Sequence, residues 1–141
     1  MHVGCIYRHD AFYADSASGE VRSKYLVVLA LPPGADVVFR VLTSRYANLR
    51  PDGCFHGMPY PGFALGVLGG ELTKPTWVDL REQDDYDADV FRGRLAKGTI
   101  ASIMQLAPQV LRAVTACAAG AAGTTRRQAR YIQDQMASVS S

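Results

Sequence analysis

Cations and hydroxyls that can hold a phosphate group stand at two places in this sequence. Arg22 and Lys24 lie at the start of one apolar run, and Thr43, Ser44 and Arg45 follow a second apolar run. If the runs pair as antiparallel strands, the start of the first lies beside the end of the second. The cations would neutralise a phosphate, and the hydroxyls would donate hydrogen bonds to its oxygens. The spacing therefore predicts an anion-binding cluster at one end of a hairpin.

Two apolar runs are the elements that must position this cluster. Residues 24–31 and 37–42 are rich in β-branched and aromatic residues, which strands favour. The sequence Pro-Pro-Gly-Ala-Asp at 32–36 is a strong turn signal between them. Because both runs are almost continuously apolar, we expect strands that are covered on both faces.

Residues 45–62 predict a long irregular loop in which basic and aromatic side chains are interleaved. Three prolines and three glycines in this range exclude a regular central element. Cations that meet phosphates and rings that stack on unpaired bases are typical of single-stranded nucleic-acid sites. The alternative is a compact loop whose aromatic rings form a small core of their own. The candidate substrate-binding residues are Lys24, Arg45, Tyr46, Arg50 and His56.

The remaining N-terminal pattern predicts further strands and two polar segments. Strands are expected at residues 2–8, 63–68 and 76–81. A polar loop is expected at 9–20, although its first residues can continue the first strand, and a solvated acidic loop is expected at 82–92. With helices after them, these strands give an α+β, mainly β, fold class.

The C-terminal part predicts helices. Thr99 is the expected N-cap of a first helix, because apolar residues recur every three to four positions over 100–118. Pro108 falls inside this stripe, so the helix either kinks there or gives way to a second helix that begins near it. The last expected features are a cap at Thr124 or Thr125, a helix over 126–136 and a frayed tail at 137–141.

Composition and charge favour an ordinary globular domain. The chain has 141 residues, a formal net charge of +2 and 48% apolar residues, which predicts a single domain over 1–141 with a sizeable core. It contains no apolar run of about 20 residues, and its first residues lack the pattern of a secretory signal. We therefore expect no membrane partner and a cytoplasmic location.

The three cysteines are Cys5, Cys54 and Cys117, at wide and unrelated spacings. An odd number at such spacings is not typical of a disulfide framework, so we expect reduced thiols that act as small apolar fillers. Cys54 and His56 are two residues apart, but a structural zinc site usually has four ligands in recognisable pairs. The sequence therefore predicts no metal site and no cofactor.

Four segments carry a family resemblance, at residues 4–7, 19–29, 39–44 and, more loosely, 76–80. Together they resemble the MazF/PemK-like family of toxin ribonucleases from type II toxin–antitoxin systems. The resemblance implies a small, curved, SH3-like antiparallel barrel over residues 1–92, with a helix packed at its C-terminal end. The long loop 45–62 and a second helix within the helical part 99–137 depart from the simplest family members. The resemblance also implies a homodimer that cuts single-stranded RNA without a metal and that a cognate antitoxin protein binds.

The resemblance assigns Arg22, Thr43 and Ser44 as the catalytic residues. Arg22 would clamp the phosphate, and the two hydroxyls would orient its oxygens while the substrate's own 2′-hydroxyl attacks it. The products would be a 2′,3′-cyclic phosphate and a free 5′-hydroxyl, without a protein nucleophile. Lys24 and His56 are candidates for proton transfer or for a second contact. One departure from the family is that Ser23 and Lys24 follow Arg22, where many relatives have a proline.

Two other functions are compatible with these residues. The first is a non-catalytic SH3-like barrel that binds a nucleic acid or a protein, because small barrels host many functions. An ion pair of Arg22 with Glu20 or Asp36, away from the hydroxyls, would favour it. The second is a metal nuclease, which requires carboxylates that share an ion. The carboxylates concerned are Asp79, Asp84, Asp85 and Asp89.

Overall fold

The computed structural model describes residues 1–14, 16–46 and 52–140, with side chains up to residue 137. It shows an α+β, mainly β, architecture, as predicted: a seven-stranded antiparallel sheet followed by C-terminal helices. In chain order the elements are β1 (Cys5–Ala14), β2 (Val21–Ala30), β3 (Val38–Thr43), β4 (Cys54–Phe55), β5 (Gly62–Gly66), β6 (Thr76–Asp79), α1 (Ala88–Lys97), β7 (Ile100–Gln105), α2 (Pro108–Ala119) and α3 (Arg126–Ser140).

The sheet has the strand order β4-β5-β6-β3-β2-β1-β7. Among the described strands, β4 pairs only with β5 and β7 pairs only with β1. The sheet is therefore not closed into a barrel, and the predicted barrel is wrong. The reason is that β7 occupies the free edge of β1, while β4 has two residues and ends the sheet on the other side.

The two predicted central strands are confirmed as β2 and β3. They pair antiparallel, with Leu26 opposite Val41 and Val28 opposite Phe39. Successive side chains of β2 enter two different cores, because a strand presents alternate residues to opposite faces. Val27 packs with α2 and α3, whereas Leu26 packs with the buried Phe91 of α1. Cover on both faces explains why the run is continuously apolar.

The helix predicted from Thr99 is wrong over its first part. Residues Ile100–Gln105 form β7, which pairs antiparallel with β1. Gly98, with a φ of 82°, ends α1 in the left-handed conformation, and Pro108 begins α2 at a position where a missing N–H costs nothing. The helical stripe exists only after Pro108, where Leu111 and Val114 are buried.

The acidic loop predicted at 82–92 is wrong over its second half, which begins α1. Asp87 caps this helix, because its carboxylate accepts a hydrogen bond of 2.9 Å from the backbone N–H of Val90. Phe91 is the buried residue that anchors the helix on the sheet. A negative charge near the first turn also suits the helix dipole, so part of the acidic run serves to start a helix.

The first strand is longer than predicted. Strand β1 runs from Cys5 to Ala14, so the first half of the expected polar loop at 9–20 continues the strand. An irregularity in its pairing with β2 lies between His9 and Tyr13.

None of the described helices combines the length and the hydropathy needed to span a membrane.

The last helix starts as predicted and docks on the sheet through a buried arginine. The Thr125 hydroxyl accepts a hydrogen bond of 3.0 Å from Gln128 N–H, and the Gln128 side chain accepts one of 3.2 Å from Thr125 N–H. Arg40 of β3 is fully buried and donates to the same Gln128 oxygen at 3.0 Å. The helix then continues to Ser140, so the tail predicted at 137–141 is helical over its described residues.

Candidate functional site

The candidate site is a cleft of about 370 Å³ at one end of the β2–β3 hairpin. Three segments form its walls: the first half of β2, the end of β3 and the chain between β5 and β6. The residues that line it are Ser23, Lys24, Tyr25, Leu42, Thr43, Ser44, Arg45, Glu71, Leu72, Thr73, Lys74 and Thr76.

The strand register explains why cations and hydroxyls meet in this cleft. Leu26 lies opposite Val41, so antiparallel pairing carries Lys24 of β2 to the level of Thr43, where β3 ends. Lys24, Thr43, Ser44 and Arg45 all line the cleft, as the sequence predicted from the pairing of the two runs.

The turn after β3 is held by a side chain. The Thr43 hydroxyl accepts a hydrogen bond of 3.0 Å from the backbone N–H of Arg45, and it lies 3.2 Å from the Arg45 carbonyl oxygen. This local bond fixes the backbone that carries Ser44 and Arg45, whose side chains are both exposed. The turn thus presents a hydroxyl and a guanidinium to any anion in the cleft.

Arg22 is not among the residues that line the cleft. It stands opposite Tyr13 of β1, and its guanidinium pairs with the Glu20 carboxylate at 3.2 Å. The physical reason is that β3 ends at Thr43, at the level of Lys24, whereas Arg22 lies two residues nearer the start of β2 and so beyond the end of β3. The predicted meeting of Arg22 with the two hydroxyls is therefore not observed.

The chain between β5 and β6 supplies residues that the sequence analysis missed. Glu71, Thr73 and Lys74 follow Gly69 and Gly70, both of which have positive φ and form a turn. The glycine pair is the signal that could have located the turn, but no local pattern indicates that it folds over the β2–β3 hairpin. Lys74 adds a third cation to the cleft, beside Lys24 and Arg45.

Glu71 is the carboxylate of the cleft wall. Arg8 donates two hydrogen bonds to it, of 2.7 and 2.8 Å, and the Tyr25 hydroxyl donates a third of 2.9 Å. These bonds hold the pKa of the Glu71 carboxyl below its usual range, so it stays ionised near neutral pH. Because Arg8 neutralises Glu71, the three cations dominate the charge of the cleft.

Three predicted substrate-binding residues lie elsewhere or outside the described chain. Tyr46 is 2% exposed, its ring packs against Tyr60 and Trp77, and its hydroxyl donates to the Tyr60 carbonyl oxygen. Burial raises the pKa of this phenol to about 12, and the ring is inaccessible to a nucleotide base. This part of the loop follows the alternative of a small aromatic core. Arg50 is outside the described residues, and His56 does not line the cleft.

His56 lies instead between two cysteines. Cys54 of β4 and Cys117 of α2 form a disulfide, with Cα atoms 5.7 Å apart, and the His56 Nε2 atom is 3.5 Å from each sulfur. The expected reduced thiols are therefore wrong for this pair, while Cys5 is a free, buried cysteine. The spacing of 63 residues hid the pairing, because it depends on α2 packing against the edge of the sheet.

Three of the four carboxylates of the metal-nuclease hypothesis, all but Asp84, have separate partners that the structure identifies. Asp79 pairs with Arg81 at 2.7 Å, Asp85 accepts a hydrogen bond of 2.7 Å from Gln128, and Asp89 pairs with Arg92 at 3.2 Å. Within the part of the chain that the structure describes, the one group of three ligating side chains that converges is Cys54, His56 and Cys117. The acidic residues thus do not gather around a common ion position.

No family model, no curated protein and no solved structure matches this chain.

Proposed function

We propose that this protein is a metal-independent endoribonuclease that binds single-stranded RNA in the cleft. The observation that carries the proposal is the meeting of Lys24 with Thr43 and Ser44 in one cavity that also holds Arg45 and Lys74. The pattern of cations and hydroxyls is the one expected for a phosphodiester. The cleft includes Thr43 and Ser44, two of the three catalytic residues that the resemblance to MazF/PemK-like toxins implies. In this proposal Lys24 replaces Arg22 as the cation beside the hydroxyls.

The proposed reaction is attack of the RNA 2′-hydroxyl on the adjacent phosphorus, which expels the 5′-oxygen and leaves a 2′,3′-cyclic phosphate. Negative charge grows on the phosphate oxygens during this step, and Lys24 and Arg45 stabilise it electrostatically. Thr43 and Ser44 orient the same oxygens. Glu71 is a weak base, because Arg8 and Tyr25 already donate to its carboxylate and lower its pKa. The proton of the 2′-hydroxyl therefore passes to solvent water, and water returns a proton to the expelled 5′-oxygen.

Two partners belong to the same proposal. A cognate antitoxin with an acidic segment would bind across the cleft, because its carboxylates would occupy the positions of the RNA phosphates. A homodimer would present two such clefts. The cytoplasmic location expected from the sequence is part of the same proposal.

A second candidate function is favoured by the position of Arg22. Its ion pair with Glu20 lies away from the cleft hydroxyls, which is the arrangement expected of a module that binds nucleic acid without cutting it. The same three cations would then hold phosphates, and binding would weaken as the salt concentration rises.

The decisive experiment compares Lys24→Ala with Arg22→Ala in a cleavage assay on a pool of single-stranded RNA with EDTA. We expect Lys24→Ala to lower the cleavage rate about 100-fold to 1,000-fold, because it removes a group that stabilises transition-state charge. Arg22→Ala removes an exposed ion pair and should change the rate less than about fivefold. The Cys54–Cys117 disulfide is kept intact during the assay, so that the two sulfurs hold no metal ion that EDTA could remove.

Three outcomes would change the conclusion. A large loss in Arg22→Ala with little change in Lys24→Ala would overturn the assignment of Lys24. The binding module would be established by two results together: the native chain binds RNA without cleaving it, and Lys24→Ala loses that binding. Fluorescence anisotropy measures the binding. The native chain neither binding nor cleaving RNA would refute both functions.

A further inference from the structure

Three side chains with ligating atoms converge where α2 packs against the edge strand β4. Cys54 and His56 come from β4 and the residue after it, and Cys117 comes from α2. Their two sulfurs and the imidazole Nε2 all lie within 4.8 Å of one another. Cys54 and His56 are exposed, so a metal ion can reach the cluster from solvent.

The geometry of the cluster suits zinc. Thiolate and imidazole are preferred zinc ligands, with bond lengths of about 2.3 and about 2.0–2.1 Å in a tetrahedral arrangement. Those bond lengths place a ligating nitrogen about 3.5 Å from a ligating sulfur. The His56 Nε2 atom is 3.5 Å from the Cys54 sulfur and 3.5 Å from the Cys117 sulfur. A histidine equidistant from both sulfurs is not required by a disulfide.

We propose that Cys54, His56 and Cys117 bind one Zn²⁺ ion when the disulfide between the cysteines is reduced. The fourth tetrahedral position is open to water, since no fourth ligating side chain joins the group within the described ranges. This site is separate from the cleft, and the proposal does not rest on the proposed ribonuclease function. Disulfides are rare in the reducing cytosol, where that function would place the protein.

Reduction and oxidation of the two cysteines interconvert the two states of the site. A dithiol reductant donates two electrons and two protons, the Cys54–Cys117 bond breaks, two thiols form and the reductant becomes a disulfide. Zn²⁺ then displaces the two thiol protons and binds Nε2, which gives up its 3.0 Å hydrogen bond to the Cys117 carbonyl oxygen. The proton that Nε2 donated in that bond moves to Nδ1, so the imidazole stays neutral. Hydrogen peroxide reverses the process: the thiolates form a disulfide, peroxide and two protons become two waters, and Zn²⁺ is released.

The test is a Zn²⁺ titration of the full chain, reduced with a phosphine in metal-free buffer, in competition with a chromogenic chelator. We expect one equivalent of Zn²⁺ to bind the reduced chain and none to bind the oxidised chain. Zinc binding should weaken more than about 100-fold in each of Cys54→Ser, Cys117→Ser and His56→Gln. Even the loss of a residue that only hydrogen-bonds to a metal ligand lowers metal affinity about 10-fold to 100-fold. The matched controls are Cys5→Ser and His2→Gln, which should bind as the native chain does.

A second measurement addresses variants that lose their fold. In the reduced native chain, Zn²⁺ should slow the alkylation of Cys54 and Cys117 more than that of Cys5, which is buried and reacts only when the chain opens. Any of three results would overturn the proposal: the reduced chain binds no zinc, Cys5→Ser weakens zinc binding as much as Cys54→Ser and Cys117→Ser do, or zinc does not slow the alkylation of Cys54 and Cys117. None of them depends on RNA, so failure here is distinct from failure of the ribonuclease proposal.

Discussion

His9 is a buried histidine whose hydrogen bonds determine which nitrogen carries its proton. It is 1% exposed, its Nδ1 accepts a hydrogen bond of 3.2 Å from Ala11 N–H, and its Nε2 lies 2.8 Å from the Tyr86 hydroxyl. The neutral ring therefore carries its proton on Nε2. Burial lowers the pKa of His9 below 6.5, and the positive charge of Arg94 lowers it further.

This histidine predicts a pH dependence of stability. The unfolded chain takes up a proton near the ordinary pKa of about 6.5, whereas the folded chain does so only at lower pH. Stability is thus lost as pH falls through about 6.5, by up to about 1.4 kcal/mol per pH unit, until the folded pKa is reached. His9→Gln should show a smaller loss between about pH 7.5 and about pH 5.5 in urea unfolding.

The exposed His2 supplies the control for this experiment. His2→Gln should keep the pH dependence of the native chain, because its imidazole is not buried. If the free energy of unfolding changes equally with pH in the native chain and in His9→Gln, the burial of His9 has no energetic consequence in this pH range.

At the scale of elements, the start of α3 joins a local cap to a long-range network. Thr125 and Gln128 exchange two hydrogen bonds, and Gln128 also accepts from Arg40 and donates to Asp85 at 2.7 Å. Burial lowers the pKa of Arg40, and the negative charge of Asp85 acts against this. One turn of helix thereby holds a buried cation and docks α3 on the sheet.

Two threonines provide a matched test of this cap. Thr125→Ala should lower the free energy of unfolding by about 1 kcal/mol, because a capping hydroxyl is lost. Thr99 has the same local signal but precedes a strand, so Thr99→Ala should cost less than about 0.5 kcal/mol. Urea unfolding of both variants measures the difference, and a larger cost at Thr99 would contradict the assignment of β7.

At the scale of the molecule, the Cys54–Cys117 disulfide joins the short edge strand β4 to α2 across 63 residues. A crosslink of this span stabilises mainly by restricting the unfolded chain. The two-residue strand β4 has little pairing of its own, so the disulfide is a main restraint on the sheet edge.

Reduction of this disulfide in metal-free buffer should lower the free energy of unfolding by about 2–4 kcal/mol. The double variant Cys54→Ser, Cys117→Ser should show a similar loss and should not respond to reductant. Added Zn²⁺ should restore stability to the reduced native chain and not to the double variant, because a ligand stabilises the state that binds it. A reduced native chain as stable as the oxidised one would contradict the crosslink's role.

Much of the hairpin and of the cleft was determined by the sequence alone. The apolar runs at 24–31 and 37–42 and the turn between them predicted β2 and β3. Their pairing then placed Lys24 beside Thr43 and Ser44, because in an antiparallel pair the start of one strand lies beside the end of the other. The cap at Thr125 was also readable, since its partner Gln128 is three residues away.

Only the tertiary structure decided the rest, because the deciding contacts join residues far apart in the chain. The apolar residues at 100–105 satisfy a helical period, and pairing with β1 makes them a strand. Arg22 was separated from the hydroxyls by where β3 ends, and Lys74 was brought to the cleft by a turn between β5 and β6. The joining of Cys54 to Cys117 and the openness of the sheet likewise depend on how α2 and β7 pack, which no local pattern encodes.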